Sequence, residues 1–120
     1  NVCEAHCRFC GFRRDLGEDG AYTMSMDELL HYVGSRYREG IREFHIVGGH
    51  NPHVPFDYYV DTIRTLKKAY PHVTIKAYTG AEIEFFTRIS GLSIKEVLQE
   101  LMKAGLESLT GGGAEILTER

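Results

Sequence analysis

Three cysteines crowd into the first ten residues, Cys3, Cys7 and Cys10 in the run CEAHCRFC, and the chain has no others. Their spacing is C-x3-C-x2-C, with an aromatic residue, Phe9, directly before the third. Thiolates are the ligands of iron–sulfur clusters, and a cubane cluster is ordinarily held by four of them. Three on one short loop can take three irons and leave the fourth open to a small molecule, which makes the cluster a reagent as well as a staple. Zinc is the alternative for the same residues. It takes four ligands, commonly Cys and His, and His6 is the fourth at hand, although it sits between two of the thiols on a tight loop. An odd count at close spacing argues against disulfides and predicts a reducing, cytoplasmic setting.

The elements that must position this loop follow from periodicity. Ser25 and Glu28 form an S-x-x-E capping box. Leu29, Leu30, Val33 and Tyr37 follow at helical spacing, and Gly40 stops the run. Residues 43–47, EFHIV, read as a short buried strand that runs into the turn-rich Gly48-Gly49-His50-Asn51-Pro52. A second helix begins near Pro55 or Phe56, with Tyr59, Val60, Ile63 and Leu66 on its apolar face, and Pro71 ends it. Residues 72–78 form a second strand carrying the β-branched Val73, Thr74 and Ile75. A short helical piece is predicted over 81–88. A second capping box, Ser93 with Glu96, starts a helix whose core stripe is Ile94, Val97, Leu98, Leu101 and Met102 and whose end is Gly105. Residues 106–109 make a third short strand before Gly111-Gly112-Gly113. Strands alternating with helices at this spacing predict an α/β chain with parallel pairing.

Composition narrows the partners. The 120 residues carry 14 Lys and Arg against 17 Asp and Glu, a net charge of −3. A nucleic-acid surface would need clustered excess Lys and Arg, and the pairs Arg13-Arg14 and Lys67-Lys68 are short and separate. No apolar run approaches the length of a membrane span.

Several polar residues sit where strands give way to loops. His50, Asn51 and His53 share the loop after the first strand and are candidates for substrate contact or proton transfer, with a surface role as the alternative. Alternation along the second strand puts Val73 and Ile75 toward the helices, so Thr74, Lys76 and Tyr78 are expected on the opposite, cavity face. A Lys or Glu held inside a fold is costly unless paired or functional, which singles out Lys76 and Glu82. Glu115, after the triple glycine, is in a similar position, or else a helix-start carboxylate.

The cysteine spacing, with the aromatic before the third thiol, resembles that of the radical S-adenosylmethionine (radical SAM) superfamily. The resemblance implies that Cys3, Cys7 and Cys10 ligate a 4Fe-4S cluster and that the open iron chelates S-adenosylmethionine. It places Phe9 near the adenine and expects an electron from the reduced cluster to break a carbon–sulfur bond, giving a 5′-deoxyadenosyl radical. It also implies the fold, a partial (β/α)6 barrel. Residues 1–120 are then expected to be an incomplete core domain, lacking the first strand and the C-terminal half and inactive alone. Gly48 and Gly49 fall where the superfamily has its Gly-Gly-Glu motif, whose backbone meets the amino group of S-adenosylmethionine; this chain has His50 in place of the Glu.

Within the superfamily, HIVGGHNPHVPFDYYVDTIRTLKKAYP, IKAYTGAEIEFF and LMKAGLESLTGGGAEI resemble the aminofutalosine synthases of the futalosine route to menaquinone. Cyclic dehypoxanthinylfutalosine synthase and the deazaflavin-cofactor synthase are the nearest alternatives, and a non-catalytic three-cysteine metal module is an alternative of another kind. The favoured resemblance implies addition of the adenosyl radical to 3-[(1-carboxyvinyl)oxy]benzoate, with rearrangement and decarboxylation. It implies an external electron donor of flavodoxin or ferredoxin type. It makes Lys76, Glu82 and His50 the catalytic candidates and Phe9, Gly48, Gly49 and Glu115 the cofactor-binding ones, with Glu82 or Glu115 on a ribose or the sulfonium. Arg13, Lys76 and His50 are the candidates for the substrate carboxylates.

Overall fold

In the computed structural model, which describes residues 1–111, two strands and four helices alternate along the chain. They are α1 (Met26–Arg36), β1 (Glu43–Ile46), α2 (Phe56–Ala69), β2 (Thr74–Ala77), α3 (Gly80–Ser90) and α4 (Ile94–Ala104). Strands β1 and β2 pair in parallel, Phe44 opposite Ile75 and His45 opposite Lys76. Helix α2 is the crossover between them, as parallel pairing requires. The arrangement is the α/β one expected, parallel strands alternating with helices in the manner of part of a barrel.

Both predicted capping boxes form at Ser25–Glu28 and Ser93–Glu96. A third, Thr79–Glu82, starts α3 one residue before the predicted piece, and the left-handed Gly91 ends the helix after Ser90. Each cap is worth about 1 kcal/mol. Ile63 and Leu66, hidden almost completely, contribute about 1.5–3 kcal/mol apiece. Apolar packing therefore decides where the helices lie, and the boxes decide where they start.

The core is one cluster built from Tyr59, Ile63 and Leu66 of α2, Ile75 and Ala77 of β2, Phe85 and Phe86 of α3, and Val97 and Leu101 of α4. One expectation about it needs correction. Ile94 and Met102 of the predicted α4 stripe are 59% and 65% exposed; the helix touches its neighbours along the narrower line of Val97, Leu101 and Ala104. Helix α1 buries no residue fully, its Leu29 and Val33 being half-buried against the core.

A second correction concerns the end of β2. Alternation predicted Tyr78 on the cavity face with Thr74 and Lys76, yet Tyr78 is buried on the helix side, beside Ala77. Its φ of 65° is the reason. A left-handed residue turns the chain out of the strand's two-residue alternation. The ring then packs edge-on to Phe86, centroids 5.0 Å apart, and its hydroxyl donates to the Tyr59 carbonyl at 2.7 Å. This departure also limits the third strand. Residues after Leu106 follow β2 through Ala77 N–H to Ser108 O (2.9 Å) and Thr110 N–H to Tyr78 O (2.8 Å). They make isolated bridges there and not the continuous strand over 106–109 that was expected.

Candidate functional site

The cysteine loop lies against the exit of β1, and the contact explains a glycine. A Cβ on Gly49 would overlap the Val2 carbonyl oxygen and come within 2.9 Å of Cys3 Cβ. No side chain fits there, so the strand exit and the start of the cysteine loop can meet only with glycine at this position. The approach is fastened by backbone hydrogen bonds. Glu4 N–H donates to His50 O at 2.9 Å, and His50 N–H donates to Cys3 Sγ at 3.2 Å. Cys7 and Cys10 are joined by a tight turn, Cys10 N–H to Cys7 O at 3.1 Å, with both thiols exposed.

Behind this loop stands Glu82, 2% exposed. One carboxylate oxygen accepts Gly48 N–H at 3.0 Å, the other Thr79 N–H at 2.8 Å. Burial pushes the Glu82 carboxyl above its usual value, and the hydrogen bonds from Thr79 and Gly48 pull the other way without cancelling it. One turn along α3, Phe85 carries the His50 ring stacked on its face, centroids 4.9 Å apart and 8° from parallel. A further turn on, Arg88 pairs with Glu4 at 2.8 Å.

On the other side, a cleft of about 450 Å³ opens between the N-terminal segment, α2 and the exit of β1. Cys10, Phe12, Gly48, Gly49, Tyr58 and Tyr59 are on its wall. Tyr59 is a functional candidate that periodicity hides. Its position on the apolar face of α2 reads as core, and it is core, but its hydroxyl receives Asn51 N–H at 3.2 Å and sits 3.3 Å from the Gly49 and Asn51 carbonyls. Burial raises its phenol to about 12, so at neutral pH it stays a hydrogen-bonding group that shapes the turn. Asn51, itself buried, uses its side chain on Thr23 (3.0 Å) and on His53 N–H (3.0 Å).

The remaining candidates are dispersed. Lys76 is half-buried on the sheet face away from the helices, beside the exposed His45, which sequence reasoning passed over because one strand alone does not reveal its neighbour. Neither Lys76, Glu82 nor His50 is on the cleft wall. Arg13 is engaged already, with Asp15, with the Cys3 carbonyl at 3.3 Å and with His6 at 3.2 Å. Phe9 is fully exposed at 103% and His53 is exposed. Glu115 and the GGGAEI phrase beyond Gly111 lie outside the described residues.

The donor set suits an iron–sulfur cluster. Three thiols, none in a disulfide, lie on one loop, and one of them already receives a backbone N–H of the kind that stabilises thiolate sulfur. Among the described residues no three His, Cys, Asp or Glu side chains are gathered at metal-holding distance. Ligand convergence on such a loop accompanies binding, since metal affinity and folding are coupled.

The same chain is 47% identical over its whole length to an aminodeoxyfutalosine synthase of Thermus thermophilus, covering 32% of that protein. It is 49% identical over 97% of its length to an aminodeoxyfutalosine synthase of Streptomyces coelicolor, covering 30%. With a cyclic dehypoxanthine futalosine synthase of Halalkalibacterium halodurans the identity is 39% over 99% of the chain and 32% of the relative. The chain thus spans about a third of the length of the curated relatives it matches. Among the described residues no helix is long and apolar enough to cross a membrane. The profile of the Radical SAM superfamily matches residues 1–116, and with the thiol loop seated on a glycine strand exit beside a cleft, the chain belongs to that superfamily.

Proposed function

We propose that this chain is the cluster-bearing part of an aminodeoxyfutalosine synthase acting in menaquinone biosynthesis. The observation that carries the radical chemistry is the loop of three free thiols against Gly49, opening on the cleft. The choice of reaction is supported by identities of 47% and 49% to two synthases of that name, against 39% to the cyclising relative.

When bound, a reduced 4Fe-4S cluster supplies the electron that cleaves S-adenosylmethionine to a 5′-deoxyadenosyl radical. The reaction joins that adenosyl group to 3-[(1-carboxyvinyl)oxy]benzoate, with rearrangement and loss of carbon dioxide. Cys3, Cys7 and Cys10 hold the cluster, and a flavodoxin or ferredoxin type of donor reduces it. Tyr58 and Tyr59 give the cleft an apolar, aromatic wall, with Phe12 at its exposed rim. Gly48 is exposed, and without a side chain there a ligand can approach the main chain closely. Lys76, with no hydrogen-bond partner for its ammonium among the described residues, is the first candidate cation for a substrate carboxylate, and Arg13, paired with Asp15, is the second. His50 contributes through its backbone and its stacked ring, and Glu82 through its grip on Gly48.

Anaerobic reconstitution of the full-length enzyme that contains this chain is expected to give about four irons and four sulfides per chain, and Ser at Cys3, Cys7 or Cys10 is expected to abolish turnover. Given a reductant, S-adenosylmethionine and the enol-ether benzoate, the full-length enzyme that contains this chain should accumulate aminodeoxyfutalosine and methionine, as read by mass spectrometry. An adding radical is consumed into product. Stoichiometric 5′-deoxyadenosine formed only from dehypoxanthine futalosine would identify the cyclising reaction instead. One equivalent of zinc without sulfide would overturn the radical reading altogether.

A further inference from the structure

Glu82, Phe85 and Arg88 recur every third residue of α3, so they climb one side of the helix. Each touches a different part of what lies in front of it. Glu82 accepts Gly48 N–H, Phe85 carries the His50 ring, and Arg88 pairs with Glu4, the residue next to Cys3. Residues 48–50 in turn hold the start of the cysteine loop through the side-chain-free face of Gly49 and the backbone of His50. We propose that α3 positions the cysteine loop, with Glu82 as the positioning residue that fixes Gly48–His50 and, through it, Cys3.

The three contacts differ in weight. Arg88 and Glu4 are both substantially exposed, and exposed ion pairs contribute little. Glu82 is buried with both oxygens bonded to main-chain N–H groups of two different strand exits. Removing one acceptor from such an arrangement leaves a part-buried N–H without its partner. Glu82→Gln does this with almost no change of volume, because the amide NH2 must face one of the two N–H donors. The consequence passes to Cys3. Once residues 48–50 can shift, the His50 N–H no longer stays on the sulfur, and hydrogen bonds to cluster sulfurs are among the determinants of cluster potential. Gly48 and Gly49 therefore have different duties. A Cβ on Gly48 would meet only Glu82 Oε1, at 3.4 Å, an ordinary contact. On Gly49 it collides with main chain, which has nowhere to go.

This inference rests on Cys3 being a cluster ligand for its effect on the cluster, but its structural half is testable without one. Amide hydrogen exchange on the metal-free protein should show Glu4 and His50 protected, and Glu82→Gln should speed their exchange about ten-fold while the amides of α4 keep their rates. In the reconstituted protein, Glu82→Gln should shift the cluster's midpoint potential and its paramagnetic resonance spectrum. Gly49→Ala should cut iron and sulfide content several-fold, and Gly48→Ala should leave them near the parent level. Unchanged exchange at Glu4 and His50 in Glu82→Gln overturns the proposal, as does equal loading by Gly48→Ala and Gly49→Ala. If Gly49→Ala does not fold, Glu82→Gln decides alone. If the parent protein takes up no iron and sulfide, the proposed function fails, and amide exchange still decides whether α3 holds the loop.

Discussion

The segment from Asn1 to Thr23 and the layer from Glu43 to Leu106 hold their shapes by different means. In the layer, Ile63, Leu66, Ile75, Phe85, Phe86, Val97 and Leu101 are hidden almost entirely, on four elements that face one another. In the N-terminal segment Val2 is the one fully buried residue, while Phe9, Phe12 and Leu16 face outward. What holds the segment is main-chain hydrogen bonding: Cys3 N–H to Arg14 O, Arg14 N–H to Asn1 O, and Glu4 N–H to His50 O. A region with few buried apolar contacts opens at lower cost than a packed one. The cysteine loop is thus adaptable, and it is seated on a support that is not. Ligands that must close on a cluster need the first property, and a radical held away from solvent needs the second.

The difference is broken first by attacking the support. Phe86→Ala removes a ring that touches Phe56, Tyr59, Tyr78 and Phe85 at once. It should cost about 3–5 kcal/mol in a urea titration. Phe12→Ala, on the exposed loop, should stay within about 0.5 kcal/mol. Comparable losses at the two positions would mean that the N-terminal segment is part of the same cooperative core. A smaller effect is expected where α4 ends. Gly105 has φ of 116°, and a Cβ there would press on the Lys67 side chain, 2.6 Å from Cγ. The left-handed backbone alone makes Gly105→Ala cost about 1–2 kcal/mol. Lys67, which donates to the Val73 carbonyl at 3.0 Å and pairs with Glu107, would have to move as well. An unchanged urea midpoint would show that the end of α4 is not tied to β2 in this way.

What the sequence makes legible follows the same division. Helices with capping boxes and apolar stripes were readable because caps and periodicity are local. Ser25, Ser93, Tyr59, Ile63 and Leu66 all do what their spacing implies. Strand alternation was readable as far as Ala77 and failed at Tyr78, because nothing in a tyrosine announces a left-handed backbone. For the site, cysteine spacing pointed to the loop, and the glycine pair to a place where something approaches the main chain closely. That Gly49 is approached by Val2 and Cys3 of the same chain is a tertiary fact, invisible to spacing. The T-x-x-E box at Thr79 was available as a local signal, and it would have given Glu82 a capping duty at the start of α3 before any ligand role was considered. Its second bond, to Gly48 across 34 residues, was not available.

Glu82 also yields the smallest and most specific effect, one of pH. Burial holds its carboxyl above the usual 4.5, so the folded protein binds this proton more tightly than the unfolded chain does. The sign follows from linkage. The stabilisation that goes with protonated Glu82 is fully present below the unfolded value, near 4.5, and is lost as pH rises through the higher folded value. Glu28 and Glu96, drawn below 4.5 by their bonds to Ser25 and Ser93, and Glu107, drawn below it by Lys67, act in the opposite direction. They gain stability over the acid side of the same range and mask Glu82 in the parent's curve. Glu82→Gln leaves all three in place, so subtraction removes them. In urea titrations of the metal-free protein, the stability of the parent relative to Glu82→Gln should be greatest at the acid end and fall as pH passes upward from 4.5. A difference that is flat, or that grows with pH, would mean that the two main-chain N–H groups outweigh burial. Glu82 would then be a carboxylate site stabilised in its charged form.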